Sequence, residues 1–273
     1  MSVPPVGAPG WSAFLEAYHA AHPAVTEDLL LPMRGPRGLQ PYAWLAEGLP
    51  ATGPVLDVCC GSAPVADVVG HDRYTGVDLS RAELAQAALR RPGARVVRGD
   101  AMTSALTARP PADSGAGTLD RGAGRPAAVT VAMALMLLPL EAFLRRAAAL
   151  LPDGGRLHAM VPTREDAAGT GYGTLLRLLG EDGHGYRQPL PPAVVAQELD
   201  RAGFTLEDDE VAVFDRHVPP EDVDLVVGSF YVRDGGPGPE PARGWLTDRS
   251  REPDFLLRYP LRRLRAVRTG TGR

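Results

Sequence analysis

Three aspartates recur at nearly equal intervals in the first half of the chain. Asp57, Asp78 and Asp100 lie 21 and 22 residues apart, and each comes at or near the end of a short apolar stretch. Such stretches are typical of parallel strands buried on both faces, whose carboxyl ends line the ligand crevice of an open α/β sheet. Three carboxylates at that edge suit a ligand with hydroxyls, an exocyclic amine and positive charge.

Two adjacent cysteines, Cys59 and Cys60, follow the first of these aspartates and are the only cysteines of the chain. Neighbouring residues have poor geometry for a relaxed disulfide. A metal site needs further ligands at suitable spacing, whereas the six histidines are scattered singly. We therefore expect small buried thiols in a reducing cytoplasm, and no metal site.

The elements that must position the aspartates begin with a strand, a small-residue turn and a helix. The strand ends in "VLDV" and the turn reads Gly61-Ser62-Ala63-Pro64. Ser62 can cap a helix and Pro64 fits its first position. The pattern predicts the first half of a βαβ unit.

The same pattern then repeats along the chain. A second strand is predicted over residues 74–80 and a third over 94–101, with a helix over 81–91 between them. Ser80 and Glu83 have the spacing of a capping box at the start of that helix.

From residue 50 to residue 215 the chain resembles the class I S-adenosylmethionine-dependent methyltransferases. The stretch "VLDVCCGSAP" is similar to their first motif, an acid followed by a glycine-rich turn. The resemblance assigns to cofactor binding the residues Asp57, Cys59, Gly61 and Ala63, where Cys59 and Ala63 replace the first and third glycines.

Four further motifs follow in order. "GVDLS" resembles the second motif, whose acid takes the ribose hydroxyls, and includes Asp78 and Leu79. "GDA" resembles the third, in which Asp100 and the backbone N–H of Ala101 read the adenine. The stretches at 129–139 and 150–162 resemble the fourth and fifth strands, with Ala132 at the cofactor.

The resemblance implies an α/β fold: a Rossmann-like, doubly wound, mostly parallel seven-stranded sheet with an N-terminal helical cap. We expect the cap in residues 1–50, the methyltransferase domain in 51–233 with a flexible insertion at 104–128, and a Pro/Gly linker with a tail in 234–273. S-adenosyl-L-methionine is the implied cofactor.

The end of the chain contains the closing strands and the tail. The stretches 205–214 and 224–232 are interpreted as the antiparallel strand pair of this family. In the tail, Leu257, Leu261 and Leu264 lie at i, i+4 and i+7 with arginines between them. This spacing predicts a basic amphipathic helix, which packs on its own domain or associates weakly with a membrane surface.

Composition excludes several classes of function. The net charge of −4 gives no reason to expect nucleic acid, and all 29 basic residues are arginine, so no lysine chemistry is possible. No apolar run has the roughly 18 residues that span a bilayer. The N-terminus lacks a basic region followed by an apolar core, so we expect no secretory signal and a cytoplasmic location.

The residues after the fourth strand, Ala132 to Met136, include no acid and no Asn-or-Asp-Pro-Pro-aromatic motif. This predicts metal-independent transfer to a largely apolar metabolite rather than to a DNA base. His184 and Tyr186, in the loop after the fifth strand, are the candidates for a general base. His158 is predicted to be structural, and His19 of the cap is the remaining candidate.

We therefore predict methyl transfer to the oxygen or carbon of a small, largely apolar biosynthetic metabolite, by in-line displacement. One alternative is a protein of the same fold that binds the donor without catalysis. The other is a nicotinamide-dependent oxidoreductase, whose G-x-G-x-x-G fingerprint the chain lacks. The oligomeric state is left open.

Overall fold

The computed structural model describes residues 4–102, 125–164, 170–180, 190–231 and 237–270. Within these ranges the chain forms one seven-stranded sheet in the order β3-β2-β1-β4-β5-β7-β6. The strands are β1 (Val55–Val58), β2 (Tyr74–Asp78), β3 (Arg95–Arg98), β4 (Ala128–Ala132), β5 (Arg156–Pro162), β6 (Phe204–His217) and β7 (Leu256–Arg268). Strands β1 to β5 pair in parallel, and β7 is antiparallel to both β5 and β6.

Helices cover both faces of this sheet. They are α1 (Trp11–Ala21), α2 (Val25–Leu30), α3 (Pro41–Ala46), α4 (Ala66–Val69), α5 (Arg81–Arg90), α6 (Leu140–Leu150), α7 (Gly171–Leu178), α8 (Pro192–Arg201), α9 (Val223–Gly228) and α10 (Glu240–Arg249). One apolar core lies between the sheet and α2, α3, α7, α9 and α10, and a second lies against α6 and α8. The doubly wound fold and its N-terminal helical cap are confirmed.

Local sequence signals account for several of these boundaries. The Ser80 hydroxyl accepts the backbone N–H of Glu83 and caps α5, as the spacing predicts. The predicted cap at Ser62 is wrong, because α4 begins only at Ala66 and the Ser62 hydroxyl donates to Glu27 of α2 instead, at 2.5 Å. Among the described residues, the helices lack the length and apolar character that crossing a bilayer requires.

The predicted amphipathic helix of the tail is wrong, because these residues form β7 inside the sheet. Leu257 and Leu261 are separated by four residues, an even number, so they share one face of a strand as well as one face of a helix. Leu264 lies an odd number of residues further on and packs in the core on the other side of the sheet. Pro260, which disfavours a helix interior, is accommodated in β7 opposite Val213.

The second predicted closing strand, 224–232, is also wrong. Residues 223–228 form α9, and the antiparallel partner of β6 comes from β7. The sheet therefore continues past residue 233 into the segment predicted as linker and tail. Of the predicted insertion at 104–128, residues 104–124 lie outside the described residues, and Ala128 opens β4.

Candidate active site

A cavity of about 340 Å³ lies at the carboxyl ends of β1 to β4, beneath α1. Parallel strands bring these ends to one edge of the sheet, and the volume is in the range of small-molecule sites. Seven of the nine predicted cofactor residues line it: Cys59, Gly61, Asp78, Leu79, Asp100, Ala101 and Ala132. The sheet therefore assembles most of the predicted site in one place.

Asp78 is the last residue of β2 and faces the cavity. Its Oδ2 accepts the backbone N–H of Gly61 and its Oδ1 that of Ser80, both at 2.8 Å. Burial raises the pKa of Asp78, and these two hydrogen bonds oppose the shift. Because each carboxylate oxygen has a second lone pair, Asp78 can also accept two ligand hydroxyls, such as those of a ribose.

The turn after β1 has an unusual backbone. Cys59, Gly61 and Ala63 have φ angles of 56°, 54° and 66°, in the left-handed region that favours glycine. Cys59 and Ala63 thus keep the backbone shape that a glycine-rich motif would adopt. Burial raises the pKa of both cysteine thiols well above their usual value, so they stay protonated and poorly nucleophilic. Ala63 itself is buried and does not line the cavity.

Asp57 does not line the cavity either. It lies inside β1, 1% exposed, where Oδ2 accepts the Tyr74 hydroxyl at 2.8 Å and Oδ1 accepts the Thr130 hydroxyl at 2.7 Å. Burial raises the pKa of Asp57 to about 7 against these two hydrogen bonds. This carboxyl group connects β1 to its neighbours β2 and β4, rather than facing a ligand.

The ends of β3 and β4 complete the floor. Asp100 Oδ1 accepts the backbone N–H of Met102 at 2.8 Å, which shapes the turn after β3. Met133, directly after β4, has a φ of 58° and donates its N–H to the carbonyl of Met160 at 2.7 Å. These contacts hold Asp100 and Ala132 at the same opening.

Sequence reasoning missed most of the residues that approach from other elements. Glu83 of α5, Glu27 of α2, Glu16 of α1 and Tyr231 after α9 also line the cavity. His19 of α1, the remaining candidate for a general base, lines it as well. Trp11 of α1 lines the cavity too, and its indole N–H donates to the Leu137 carbonyl at 2.9 Å. The capping-box glutamate was the one available signal, because its position at the start of α5 places it near the end of β2.

The remaining predicted residues divide into two groups. His184 and Tyr186 lie outside the described residues. His158 is buried in β5, where its Nδ1 lies 2.9 Å from the Leu45 carbonyl, and burial lowers its pKa to about 4. It does not line the cavity, in keeping with the structural role expected of it.

The lining fits S-adenosylmethionine. Asp78, Glu83 and Asp100 make the walls acidic, and the described lining residues include no arginine. Glu16 and Glu27 also line the cavity but pair with Arg98 and Arg91. Acidic walls favour a ligand that carries a sulfonium and an ammonium group, and they repel the pyrophosphate of a nicotinamide dinucleotide. Asp78 would hold the ribose, and Asp100 with Ala101 and Leu79 would surround the adenine; when bound, the cofactor supplies an activated methyl group.

Comparison with known proteins agrees with this site. A family model described as a methyltransferase domain matches residues 37–208, more than half of the chain. A search of curated protein sequences gives no significant match.

Solved structures share the fold. A candidate methyltransferase from Bacillus halodurans C-125 is 17% identical, with a TM-score of 0.55 over 84% of this chain and 99% of its own. A structure reported for the conversion of a disulfide bond into a thioacetal group during echinomycin biosynthesis is 16% identical, with a TM-score of 0.54 over 94% of this chain and 92% of its own. A candidate sarcosine dimethylglycine methyltransferase from Galdieria sulphuraria is 10% identical, with a TM-score of 0.51 over 84% and 85%.

At these identities the likeness concerns the fold, whereas the family match covers the strands and turns that build the cavity. The chain belongs to the class I S-adenosylmethionine-dependent methyltransferases.

Proposed function

We propose that the enzyme methylates a small, largely apolar metabolite on oxygen or carbon, in a biosynthetic reaction that needs no metal. The observation that carries this proposal is the apolar part of the cavity wall. Its described residues are Trp11, Leu15, Met133, Ala134, Leu137 and Leu138. Such a wall favours an apolar acceptor and excludes water from the sulfonium, which leaves alignment as the main contribution to an in-line displacement.

The end of β4 supports metal independence. Ala132, Met133 and Ala134 line the cavity there and have no side-chain oxygen that could hold a hard cation. Among the described residues, no three or more His, Cys, Asp or Glu side chains are grouped so that they could hold a metal ion. Both cysteines are free thiols, as expected in a reducing compartment, and we extend the proposal to a cytoplasmic location.

The test combines donor binding with turnover. Calorimetry with S-adenosylmethionine is expected to show binding, and methyl-labelled donor is expected to label small apolar hydroxy and carbon acceptors equally well with and without chelator. Transfer only to polar or macromolecular acceptors, or a rate that collapses with chelator, would contradict the proposal. Binding without transfer to any acceptor would favour the non-catalytic alternative.

Asp78→Asn tests the donor site separately from the acceptor proposal. It keeps the shape of the side chain but removes the charge that accepts the ribose hydroxyls. We expect donor affinity to fall by about 1.5–3 kcal/mol, measured by calorimetry. An unchanged dissociation constant would contradict the role of Asp78 and leave the acceptor proposal untouched.

A further inference from the structure

The donor cavity contains a buried carboxylate with one oxygen that lacks a described partner. Glu83, at the start of α5, lines the cavity, and its side chain is 4% exposed. Its Oε1 lies 2.9 Å from Nδ1 of His19 and accepts the backbone N–H of Ala24 at 3.0 Å. For Oε2, the described part of the chain provides no hydrogen-bond donor. Such an oxygen is costly to bury unless a bound N–H or cationic group contacts it.

The capping arrangement of α5 explains why this carboxylate can contact a ligand. In a capping box, the glutamate carboxylate would accept the N–H of the capping residue, here Ser80. That N–H donates to Asp78 instead, at 2.8 Å. The backbone N–H of Glu83 still donates to the Ser80 hydroxyl. The helix is therefore capped without the Glu83 carboxylate.

Gly61 leaves space in front of this oxygen. A Cβ at position 61 would lie 3.4 Å from Oε2 of Glu83, and both residues line the cavity. Because glycine has no side chain, the space between the turn after β1 and Glu83 is open to a ligand group.

The other carboxylates near this turn already have partners. Glu27 accepts two guanidinium N–H groups of Arg91 and the Ser62 hydroxyl. Asp78 accepts two backbone N–H groups and faces the position assigned to the ribose. Glu83 is therefore the carboxylate at this turn that can accept a further cationic group.

A second buried polar group at the cavity also lacks a described partner. Tyr42 of α3 lines the cavity and is 3% exposed, and among the described residues its hydroxyl makes no hydrogen bond. Helix α3 packs against α4, which follows the turn after β1. Burial raises the pKa of Tyr42 well above its usual value, and the charges of Glu27 and Asp57 add to the shift. The hydroxyl therefore keeps its proton and can donate it in a hydrogen bond.

The order of the strands indicates which end of the donor lies at this turn. Neighbouring strands run in the order β3-β2-β1. Asp100, after β3, belongs to the adenine, and Asp78, at the end of β2, belongs to the ribose. The next position along this edge is the turn after β1, which Glu83 approaches at Gly61. A donor that follows this order presents its amino-acid end there.

We propose that Glu83 and Tyr42 bind the amino-acid end of S-adenosylmethionine. The Glu83 carboxylate accepts hydrogen bonds from the α-ammonium group, and the Tyr42 hydroxyl donates to the α-carboxylate. Asp57 cannot replace Glu83, because it is held between strands and does not line the cavity. The inference goes beyond the proposed function, since it concerns the donor and holds for any acceptor.

Calorimetry with four ligands tests the two contacts separately. S-adenosylhomocysteine has both groups, its decarboxylated form has only the ammonium, its deaminated form has only the carboxylate, and 5′-methylthioadenosine has neither. Glu83→Gln is expected to lower the affinity for the two ligands with an ammonium by about 10–100-fold, and not to lower it for the other two. Tyr42→Phe is expected to lower the affinity for the two ligands with a carboxylate by about tenfold, and to leave the others within about twofold.

Glu141→Gln is the matched control, because Glu141 of α6 is an exposed carboxylate that does not line the cavity. Its four dissociation constants are expected to equal those of the wild type. Asp78→Asn provides the contrast, since all four ligands have the ribose and all four should bind more weakly. Unchanged affinity for 5′-methylthioadenosine also shows that the Glu83 and Tyr42 variants are folded.

A variant of Glu83 or Tyr42 that binds all four ligands as the wild type does, or weakens all four equally, would overturn the assignment of that residue. Where a variant does not fold, the wild type decides. Its affinity should fall by about 10–100-fold when the ligand loses the ammonium alone, and equal affinities would overturn the inference. Turnover with small apolar acceptors tests the proposed function separately, so either one can fail without the other.

Discussion

At the scale of single residues, the turn after β1 depends on backbone conformation more than on side-chain chemistry. Cys59 and Ala63 occupy left-handed conformations that cost a residue with a Cβ roughly 1–2 kcal/mol relative to the right-handed one. The neighbouring Cys60 is buried, and its Sγ lies 2.7 Å from the position that a Cβ on Gly76 would take. The two cysteines therefore have different structural roles, although both thiols stay protonated.

Glycine substitutions at the two cysteines are expected to change the free energy of unfolding by different amounts. Cys59→Gly relieves the left-handed strain while adding unfolded-state entropy, so the free energy of unfolding should stay within about 1 kcal/mol of wild type. Cys60→Gly adds the entropy without relief and loses buried sulfur, which should cost about 2 kcal/mol. Urea unfolding measures both, and the reverse order would contradict the prediction.

Methyl transfer should also survive both cysteine substitutions within about tenfold, since no thiol attacks or ligates anything in the proposed reaction. Folded variants without activity would show that a cysteine has a chemical role.

The burial of Asp57 predicts a pH dependence of stability. Because its pKa is raised to about 7 in the folded state, the folded protein binds more protons than the unfolded chain between about pH 4 and about pH 7. The stability linked to this proton is present below about pH 4 and is lost as pH rises to about 7, by up to roughly 4 kcal/mol. Asp57→Asn should remove this loss.

Urea midpoints of wild type and Asp57→Asn at about pH 5 and about pH 8 bracket much of this titration. Asp72→Asn, at an exposed position, is the control and should follow the wild type. Parallel pH dependence in wild type and Asp57→Asn would contradict the assignment.

At the scale of elements, a buried ion pair joins the cap to the turn after β1. Arg91, directly after α5, donates to Glu27 of α2 at 2.8 Å and to the Ser62 carbonyl at 2.9 Å. Glu27 also accepts the Ser62 hydroxyl. Arg91 and Glu27 are 5% and 3% exposed, and the loss of Arg91 removes the buried partner of Glu27, which then keeps only Arg90 at 3.2 Å as an ion-pair partner among the described residues. The cap thus helps to set the shape of the cofactor turn.

Arg91→Met is expected to lower the free energy of unfolding by about 3–5 kcal/mol and to weaken donor binding, because the Ser62 turn loses its support. The adjacent Arg90 pairs mainly with Asp28 near the surface, and Arg90→Met should cost about 1 kcal/mol or less. Chemical unfolding and donor calorimetry on both variants test this contrast. Equal costs would show that burial does not distinguish the two arginines.

At the scale of the whole molecule, β6 and β7 hold each other in the sheet by complementary charge. Arg263 of β7 contacts Asp208 and Glu210 of β6, and Arg262 pairs with Asp209 at 2.5 Å. Arg263 also lies 4.5 Å above the Trp44 ring of the cap. Two of the arginines that suggested a basic surface, Arg262 and Arg263, are therefore paired in the interior of the fold, whereas Arg258 remains exposed.

Removal of residues 255–273 is expected to abolish folding, because β5 loses its antiparallel neighbour and β6 its only described one. A chain that ends at Arg268 keeps β7 whole and should fold and bind the donor. Expression level, circular dichroism and donor calorimetry compare the two. A shorter chain that still binds the donor would show that the tail is a dispensable addition.

The cofactor side of the site was largely predictable from local sequence. Each of the first three strands is a short apolar stretch, and parallel strands must bring their ends to one edge, which places Asp78 and Asp100 together. Asp57 departs from this rule because it lies one residue before the end of β1, so its side chain is held between neighbouring strands. The end of a strand cannot be predicted from sequence to within one residue, so this offset was not predictable.

The sequence by itself determined the parallel half of the sheet, the capped helix α5 and the acidic edge, since these depend on neighbours within a few positions along the chain. Tertiary structure alone decided that residues 256–268 form a strand. Leucines four residues apart fit one face of a helix and one face of a strand equally well. Only a partner strand with acidic residues selects the strand. Tertiary structure also decided the pairing of His19 with Glu83, 64 residues apart, which exists only because α1 folds back over the strand ends.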